Sequence, residues 1–326
     1  MWIVVQINED HTCLSGIGGE IRPRQQVHLV ETTTNRDEDV LDSRKKEKRR
    51  LDILRRLFYG TESFLNPNEC SGLIYCQSIY SSNETRLEWC RICFEYLNVP
   101  RIVFATNSRS ALLATGSETG LIVDCGSTRS QGGECRIVPI CYGVVQDFAV
   151  VYFRYHVDKS TRTEEEGTKT REDATKSNEE EEDVVLDRLF EPDDDGRTLA
   201  NALIESIERC PIDVRALVIQ NIRVIGTIAQ TRPGLSERLR VATLETIESD
   251  SPAVGVVRSE RFQFRNDTAF PLNELAWVGG SLMAAAFEES TLPKSLQVVE
   301  RDDYERRGVR CIPDRFRLGE SDGGDE

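Results

Sequence analysis

The sequence predicts an α/β protein organised as two modest domains or as one large two-lobed domain. Short apolar strands alternate with helices between residues 72 and 156, and the alternation resumes after residue 197. The length of 326 residues exceeds that of most single domains. Apolar residues make up 39% and charged residues 30% of the chain, a balance that favours a folded protein carrying some disordered sequence.

The first sixty residues begin with two apolar segments, Trp2–Ile7 and Thr12–Ile17, which predict strands followed by a turn at Gly18 and Gly19. Residues 44–50 form a basic run that leads into an apolar periodicity at 51–58. The run is interpreted as the solvated start of an amphipathic helix in preference to a nuclear-import or anion-binding patch, because isolated basic heptamers are common.

The middle of the chain alternates strands with helices. The predicted elements are a strand at 73–76, a helix at 84–97, a strand at 101–104, a helix at 108–114, and strands at 120–124, 135–140 and 148–155. Further elements are expected after the acidic region described next: a helix at 198–209, a strand at 222–225, and helices at 235–247 and 274–287.

Residues 158–183 differ from the rest of the chain in composition. They contain eleven acidic and five basic residues but a single apolar side chain, Ala174. Such a segment cannot bury enough surface to offset the entropy of ordering it. A disordered acidic insertion is therefore predicted, with its full extent placed at 157–196.

Charge and composition exclude several classes of protein. The formal net charge of −15 disfavours a generic nucleic-acid backbone binder, which needs a positive surface. The start of the chain has no cationic segment, so a secretory signal is not expected, and the apolar stretch 277–287 is shorter than a bilayer requires. Ten cysteines in this setting indicate reduced thiols in the cytosol or nucleus, with neither nucleic acid nor direct membrane insertion as partner.

Two apolar strands end in glycine turns, at 121–127 and 224–226. Such turns let backbone N–H groups approach a phosphate, and an aspartate at a strand end, here Asp124, can hold a cation through water. A glycine that merely closes a β-hairpin explains each turn equally well. Cys90 and Cys93 have CxxC spacing, but they fall inside a predicted helix and no second pair completes a zinc site, so core thiols are favoured and no metal is expected.

Three blocks of sequence, taken in order, resemble the actin family. They are 114–120 with 122–126 and 137–140, then 210–215 with 224–226 and 232–234, and finally 277–282, which reads Trp-Val-Gly-Gly-Ser-Leu. The resemblance covers 97–156 and 197–318 well and 1–96 weakly. It implies the ribonuclease H-like, two-lobed α/β fold that actin shares with heat-shock chaperones and sugar kinases, here with reduced small subdomains.

The resemblance also implies a division of the chain. The first lobe would comprise 1–116 and 272–326, with a remnant of a small subdomain near 25–60. The second lobe would comprise 117–156 and 197–271, and the insertion 157–196 would replace most of its small subdomain.

The resemblance places remnants of a nucleotide pocket at Asp124, Gly126, Ser127, Gly226 and Gly279. Several positions depart from the family pattern: Asn8, Glu9 and Asp10 in the first phosphate loop, Leu14 for its lysine, Asn107 for the water-orienting glutamine, Arg136 for a histidine and Thr227 for a glycine. Like charges about 4 Å apart repel by about 4 kcal/mol at an effective dielectric of about 20, so acids in the first loop would expel phosphate. A degenerate pocket without ATPase activity is predicted. No cofactor is expected, although ATP or ADP with magnesium could serve as a structural plug.

The larger subdomains of the family carry one polymer face, and the smaller ones carry the opposite face. Residues predicted to line a filament-docking cleft on the larger subdomains are Leu113, Thr115, Gly116, Val278, Leu282 and Met283. Heterologous contacts propagate only when both faces are present, so loss of one face predicts a terminator.

Segments 96–100, 122–126 and 208–213 look most like the actin-related protein at the pointed end of dynactin, the 10/11 type. This resemblance implies a cytoplasmic, cytoskeletal protein in dynein-based transport. Its partners would be actin-related filament subunits and other pointed-end subunits of dynactin. The alternatives are a divergent actin-fold ATP-binding protein and a nuclear actin-related subunit of a chromatin remodeller.

Overall fold

The computed structural model describes residues 1–8, 12–28, 51–52, 55, 69–126, 132–156, 186–193, 195–250, 261–289 and 297–312. The chain divides into two compact units. Unit 1 comprises Met1–Ala114 and Ala276–Glu326, and unit 2 comprises Thr115–Leu275. None of the described helices is long and apolar enough to cross a membrane.

The described elements follow the chain in an alternating order. The strands are β1 (Trp2–Ile7), β2 (Thr12–Ile17), β3 (Gln25–His28), β4 (Gly72–Gln77), β5 (Arg101–Thr106), β6 (Gly120–Cys125), β7 (Gly132–Cys141), β8 (Val144–Val145), β9 (Val151–His156), β10 (Ile222–Ile225) and β11 (Gln297–Glu300). The α-helices are α1 (Asn83–Arg91), α2 (Asn107–Ala114), α3 (Leu199–Arg209), α4 (Ile212–Val218), α5 (Thr227–Thr231), α6 (Leu235–Asp250), α7 (Leu275–Glu289) and α8 (Arg301–Arg307).

The described part of unit 1 is built on a sheet with the strand order β11-β5-β4-β1-β2-β3. Strand β4 pairs in parallel with β1 and β5, whereas β2, β3 and β11 add antiparallel edges. Strands β1 and β4 are buried along almost their whole length, as their unbroken apolar runs predict for the centre of a covered sheet. The parallel strands therefore direct their carboxyl ends to one edge of this sheet.

Helix α1 packs on one face of that sheet. Ser82 caps its first turn by accepting a hydrogen bond from the backbone N–H of Thr85 at 3.1 Å. The helix continues directly into a π-helical turn, Ile92–Tyr96, so helical structure covers most of the range predicted at 84–97. Cys90 and Cys93 are buried in the core of unit 1, which confirms their interpretation as core thiols.

Unit 2 contains a second sheet, with the order β10-β6-β7-β8 and β9 paired to β7. Strand β10 is parallel to β6, so the two strand ends that carry glycine turns are neighbours. Helix α3 covers this sheet with an apolar face that includes Leu203 and Ile207. A reciprocal capping box between Thr198 and Asn201 fixes where α3 begins.

The structure confirms strands β1, β2 and β10 at their predicted bounds and adds β3, α5, β11 and α8, which sequence patterns did not predict. The prediction that the disordered insertion extends to residue 196 is wrong for its last part. Leu189 is fully buried in the core of unit 2. Its apolar side chain can be buried there, whereas residues 158–183 have almost no apolar side chains to bury. Residues 157–185 and the basic run 44–50 lie outside the described residues, as does the helix expected at 51–58 apart from residues 51, 52 and 55. Reduced small subdomains therefore remain a prediction.

Candidate functional site

The parallel pairing of β6 and β10 brings three of the predicted pocket residues together in unit 2. Asp124 lies beside Ile225 in the register of the two strands. Gly126 follows β6 and Gly226 follows β10, so both turns leave the sheet at the same edge. Ligands of open α/β sheets bind at the carboxyl ends of parallel strands, which makes this edge the candidate site.

Gly226 is required at this edge for two physical reasons. Its φ of +101° lies in the region that side chains rarely adopt. A Cβ atom added to it would also lie 2.2 Å from the carbonyl oxygen of Cys125 and 3.0 Å from Oδ1 of Asp124. The turn after β10 is therefore pressed against the end of β6, and the glycine serves close backbone approach rather than closing a β-hairpin.

The charged groups around Asp124 balance one another. Asp124 is opposite Arg136 in the antiparallel register of β6 and β7. Nε of Arg136 donates to Oε1 of Glu134 at 3.1 Å, and Nε of Arg154 donates to the other oxygen of Glu134 at 3.1 Å. Two carboxylates and two guanidinium groups thus form this set, so it adds no net positive charge to attract a polyphosphate.

The corresponding edge of the sheet in unit 1 carries amides. Asn8 follows β1 and lies next to Gln6, whose side-chain amide donates to it in a short hydrogen bond. Asn107 begins α2 directly after β5, and its Oδ1 is buried with no hydrogen-bond partner among the described residues. Leu14 is fully buried in β2 and has no polar group to offer. The predicted acids Glu9 and Asp10 lie outside the described residues.

Gly279 has a structural explanation that differs from its predicted place in a nucleotide pocket. It lies on α7 in unit 1, and an added Cβ atom would be 1.7 Å from the carbonyl oxygen of Ser110 on α2. The glycine is needed because the two helices pack with their backbones in direct contact. Ser127, the remaining predicted pocket residue, lies outside the described residues.

The described residues fit a nucleotide only in part. Unit 2 supplies the Asp124 carboxylate, which could accept hydrogen bonds from magnesium-bound water. It also supplies the backbone of two glycine turns, which could approach a phosphate. Within the described ranges, no group of three or more histidine, cysteine, aspartate or glutamate residues is placed to hold a metal ion directly.

The predicted docking residues differ widely in exposure. Leu282 on α7 is 47% exposed, whereas Val278 and Met283 on the same helix are 2% and 7% exposed. Side chains buried this deeply offer little surface to a partner, and the place of Val278 and Met283 in a docking cleft stays a prediction. Leu113 and Thr115 are half-buried, and Gly116 is exposed with a φ of +71°.

Unit 2 exposes a set of apolar side chains that sequence patterns did not predict. We call Tyr142, Val144, Phe148 and Ile212 the hairpin surface; they are 73%, 47%, 61% and 70% exposed. The first two lie on the β7–β8 hairpin, and Phe148 lies in the 3₁₀ turn Asp147–Ala149 that follows it. Isolated exposed apolar residues are ordinary, but a grouped set marks an interaction site.

Ile212 belongs to the hairpin surface because it begins α4, which packs against β7. The Asp213 carboxylate lies near the thiol of Cys141, the last residue of β7, where it adds to the effect of burial in raising the pKa of that thiol. Ile212 is therefore held beside the end of the strand from which the hairpin projects.

The hairpin turn itself holds Tyr142 in a strained conformation. Cys141 pairs with Val144, so Tyr142 and Gly143 are the two residues of the turn, and their φ values are +50° and +73°. Two positive φ values are the signature of a type I′ turn, which favours asparagine or glycine. A left-handed tyrosine costs about 1–2 kcal/mol. The Tyr142 backbone N–H donates to Oγ1 of Thr119 at 2.9 Å and so helps to keep this conformation.

Each unit contains a sheet with both parallel and antiparallel strands. Unit 1 is formed from the two ends of the chain and unit 2 from its middle, and this arrangement defines an actin-like α/β fold. The family model for actin matches residues 44–156, which span β4 to β9 and include Asp124 and the hairpin. Over these residues the chain is similar to the actin family.

Proposed function

We propose that this chain is a non-catalytic actin-related protein that caps the pointed end of the actin-related filament of dynactin. In this role it would dock on the last filament subunit and provide a platform for the other pointed-end subunits. Its setting would be the cytoplasm and the cytoskeleton that supports dynein-based transport.

The observation that carries the proposal is the hairpin surface. Large apolar side chains exposed on and beside the hairpin bury much area when a partner covers them, at about 25 cal/mol for each Å² of apolar surface. The strained Tyr142 turn supports the same interpretation, because such strain persists where a function requires it. Leu282 on unit 1, a residue that the resemblance places in a docking cleft, is also an exposed apolar side chain.

Termination follows from the predicted loss of the opposite face. A head-to-tail filament grows only if each subunit offers a face to the next one. The regions expected to build the pointed face are 25–60 and 157–196, and their sequences are short, polar and strongly charged. A subunit of this kind would bind a filament end and leave no template for another copy.

The absence of catalysis is part of the proposal. Phosphoryl transfer requires a metal, an oriented water molecule and a positive clamp that act together. Asn107 is one methylene shorter than the glutamine of the family. Among the described residues around Asp124, the charges of Asp124, Glu134, Arg136 and Arg154 add up to zero. These features favour a pocket that does not turn over ATP.

Retained nucleotide binding is the second candidate function. It is favoured by the close packing of Gly226 against Cys125 and Asp124, which preserves a backbone turn suited to a phosphate. Equilibrium dialysis with MgATP, together with a phosphate-release assay, would separate the two. ATP turnover that disappears in Asp124→Ala would favour the enzyme and contradict the non-catalytic proposal.

The docking step can be tested with filaments reconstituted from actin-related subunits. Phe148→Asp and Ile212→Asp each place a charge on the hairpin surface, and we expect each to weaken binding to filament ends by at least about tenfold. Val241→Asp is the matched control, since Val241 is an exposed apolar residue of unit 2 that lies on α6. Wild-type affinity in both hairpin variants would contradict docking through this surface.

A further inference from the structure

A pair of cysteines lies at the base of the segment that joins β6 and β7. Cys125 ends β6 and is directly opposite Cys135 in the antiparallel register. Both residues are fully buried, and Sγ of Cys135 donates to Sγ of Cys125 at 3.4 Å. Neither forms a disulfide in this structure, and neither does any other cysteine of the chain.

The arrangement is compatible with a disulfide. Directly opposed residues of an antiparallel pair have Cα atoms about 4.5–5.5 Å apart, within the range of about 4.4–6.8 Å found in disulfides. The two sulfur atoms of Cys125 and Cys135 need only move from 3.4 Å to about 2.0 Å, a bonded distance. Rotation about the two Cα–Cβ bonds with a small strand adjustment can supply this movement.

Cys90 and Cys93, the pair that sequence spacing singles out, is less suited to a disulfide. These residues lie three positions apart on the continuous helical segment formed by α1 and the π-helical turn. Neighbours on a helix face have Cβ atoms about 5–6 Å apart, farther than the about 3.5–4.5 Å of a disulfide.

We propose that Cys125 and Cys135 form a redox-modifiable dithiol whose oxidant is a low-molecular-weight disulfide such as oxidised glutathione. The thiolate of one cysteine attacks a sulfur atom of the oxidant, forms a mixed disulfide and releases one thiol. The second cysteine thiolate then attacks the protein sulfur of the mixed disulfide and releases the second thiol. The protein loses two protons and two electrons, and the oxidant gains both.

The position of the pair couples this chemistry to the candidate site. The backbone of Cys125 lies directly against Gly226, since a Cβ atom there would be 2.2 Å from the Cys125 carbonyl oxygen. Asp124 is the preceding residue of β6. A disulfide would link the two ends of the β6–β7 connection covalently and restrict the movement of Cys125. Because Gly226 lies against the Cys125 backbone, the disulfide would also restrict changes in the conformation of the Gly226 turn.

Complete burial determines the conditions under which the modification occurs. The oxidant reaches the sulfur atoms only when the end of the β6–β7 pair opens, so oxidation is slower than that of an exposed thiol. In a reducing cytosol the dithiol form would dominate, and the disulfide would report an oxidising shift.

The test uses the full chain, fully reduced, desalted and incubated without denaturant in glutathione buffers of increasing oxidised fraction. After an acid quench, denaturation and alkylation with N-ethylmaleimide, intact mass counts the remaining thiols. The reduced chain should carry ten adducts, one for each cysteine, and the oxidised chain eight. Trypsin cleaves after Arg129, so a linkage between the two resulting peptides identifies Cys125 and Cys135 as the pair.

Variants complete the test. Cys135→Ser should form no internal disulfide, so under oxidation it should carry nine adducts, or eight adducts with one glutathione held on Cys125. Cys210→Ser, which alters another buried cysteine of unit 2, should still lose two adducts on oxidation. The wild-type peptide map decides the question even if a variant folds poorly. Ten adducts in all native buffers, a linkage between other cysteines, or oxidation only in denaturant would each overturn the proposal.

Discussion

Replacement of Gly279 by alanine is the sharpest test of the packing in unit 1. In an isolated helix this change stabilises the helical state by about 1 kcal/mol, since glycine is the weaker helix former. In this protein the new Cβ atom would lie 1.7 Å from the carbonyl oxygen of Ser110 and 2.4 Å from its carbonyl carbon. Both are backbone atoms of α2, so relief requires the whole of α7 to shift.

The magnitude follows from these opposing effects. Overpacking of a core costs typically about 1–3 kcal/mol, and a contact with rigid backbone belongs at the upper end of that range. After subtraction of the gain in helix propensity, we expect Gly279→Ala to lower the free energy of unfolding of unit 1 by about 2 kcal/mol. With a urea dependence of about 2 kcal/mol per molar, the midpoint falls by about 1 M.

Tryptophan fluorescence is a selective assay for this change. The chain contains three tryptophans, Trp2, Trp89 and Trp277, and all are buried in unit 1. Trp277 lies on α7 itself, and its Nε1 donates to the carbonyl oxygen of Val4 at 3.1 Å. A urea titration followed by fluorescence therefore reports the unit in which the substitution lies.

Gly234→Ala, in unit 2, is the control for the cost of an added methyl group in open space, because an added Cβ atom at Gly234 meets nothing within 4 Å. We expect its midpoint to stay near that of the wild type. The reasoning is refuted if Gly279→Ala unfolds at the same urea concentration as the wild type or at a higher one, because the helix contact with Ser110 would then not be close.

Three further predictions concern the candidate site and the electrostatics. Gly226→Ala should destabilise unit 2 by at least about 2 kcal/mol, because the residue has a positive φ and the new Cβ atom would contact Cys125. Hydrogen exchange of the β6 and β10 amides measures the change, and unchanged protection would contradict the prediction. Burial and the hydrogen bond to Glu95 raise the pKa of Tyr304 to about 12, so this tyrosine stabilises the fold below about pH 10 and the contribution disappears towards pH 12. Tyr304→Phe should flatten the dependence of the urea midpoint on pH between these values. An unaltered dependence would contradict the assignment. Asp124→Ala should leave the phosphate-release rate at the buffer background, as in the wild type, and a wild-type rate above background would contradict the degenerate pocket.

Much of the fold follows from local sequence patterns. The buried strands β1 and β10 are mostly apolar, with one polar residue each (Gln6 and Arg223), and turn residues bound them, so their bounds could be read directly. The β3 and β11 strands could not, because both are four residues long and lie at the edges of the sheet in unit 1, where polar side chains face solvent.

The candidate site shows a similar limit. Asp124, Gly126 and Gly226 could be predicted because strand ends followed by glycine have a recognisable pattern. The close contact of Gly279 involves a backbone 169 residues away in sequence, at Ser110, which no local pattern encodes. The hairpin surface was missed because a tyrosine–glycine turn is an unusual type I′ sequence, and exposure of apolar side chains is visible only in three dimensions.

The most direct test of the central claim is cryo-electron microscopy of filaments assembled from actin-related subunits in the presence of this chain. One copy at the pointed end only, with the hairpin surface buried against the last filament subunit, is the predicted result. Density for this chain repeated along the filament would contradict the claim that it caps rather than polymerises.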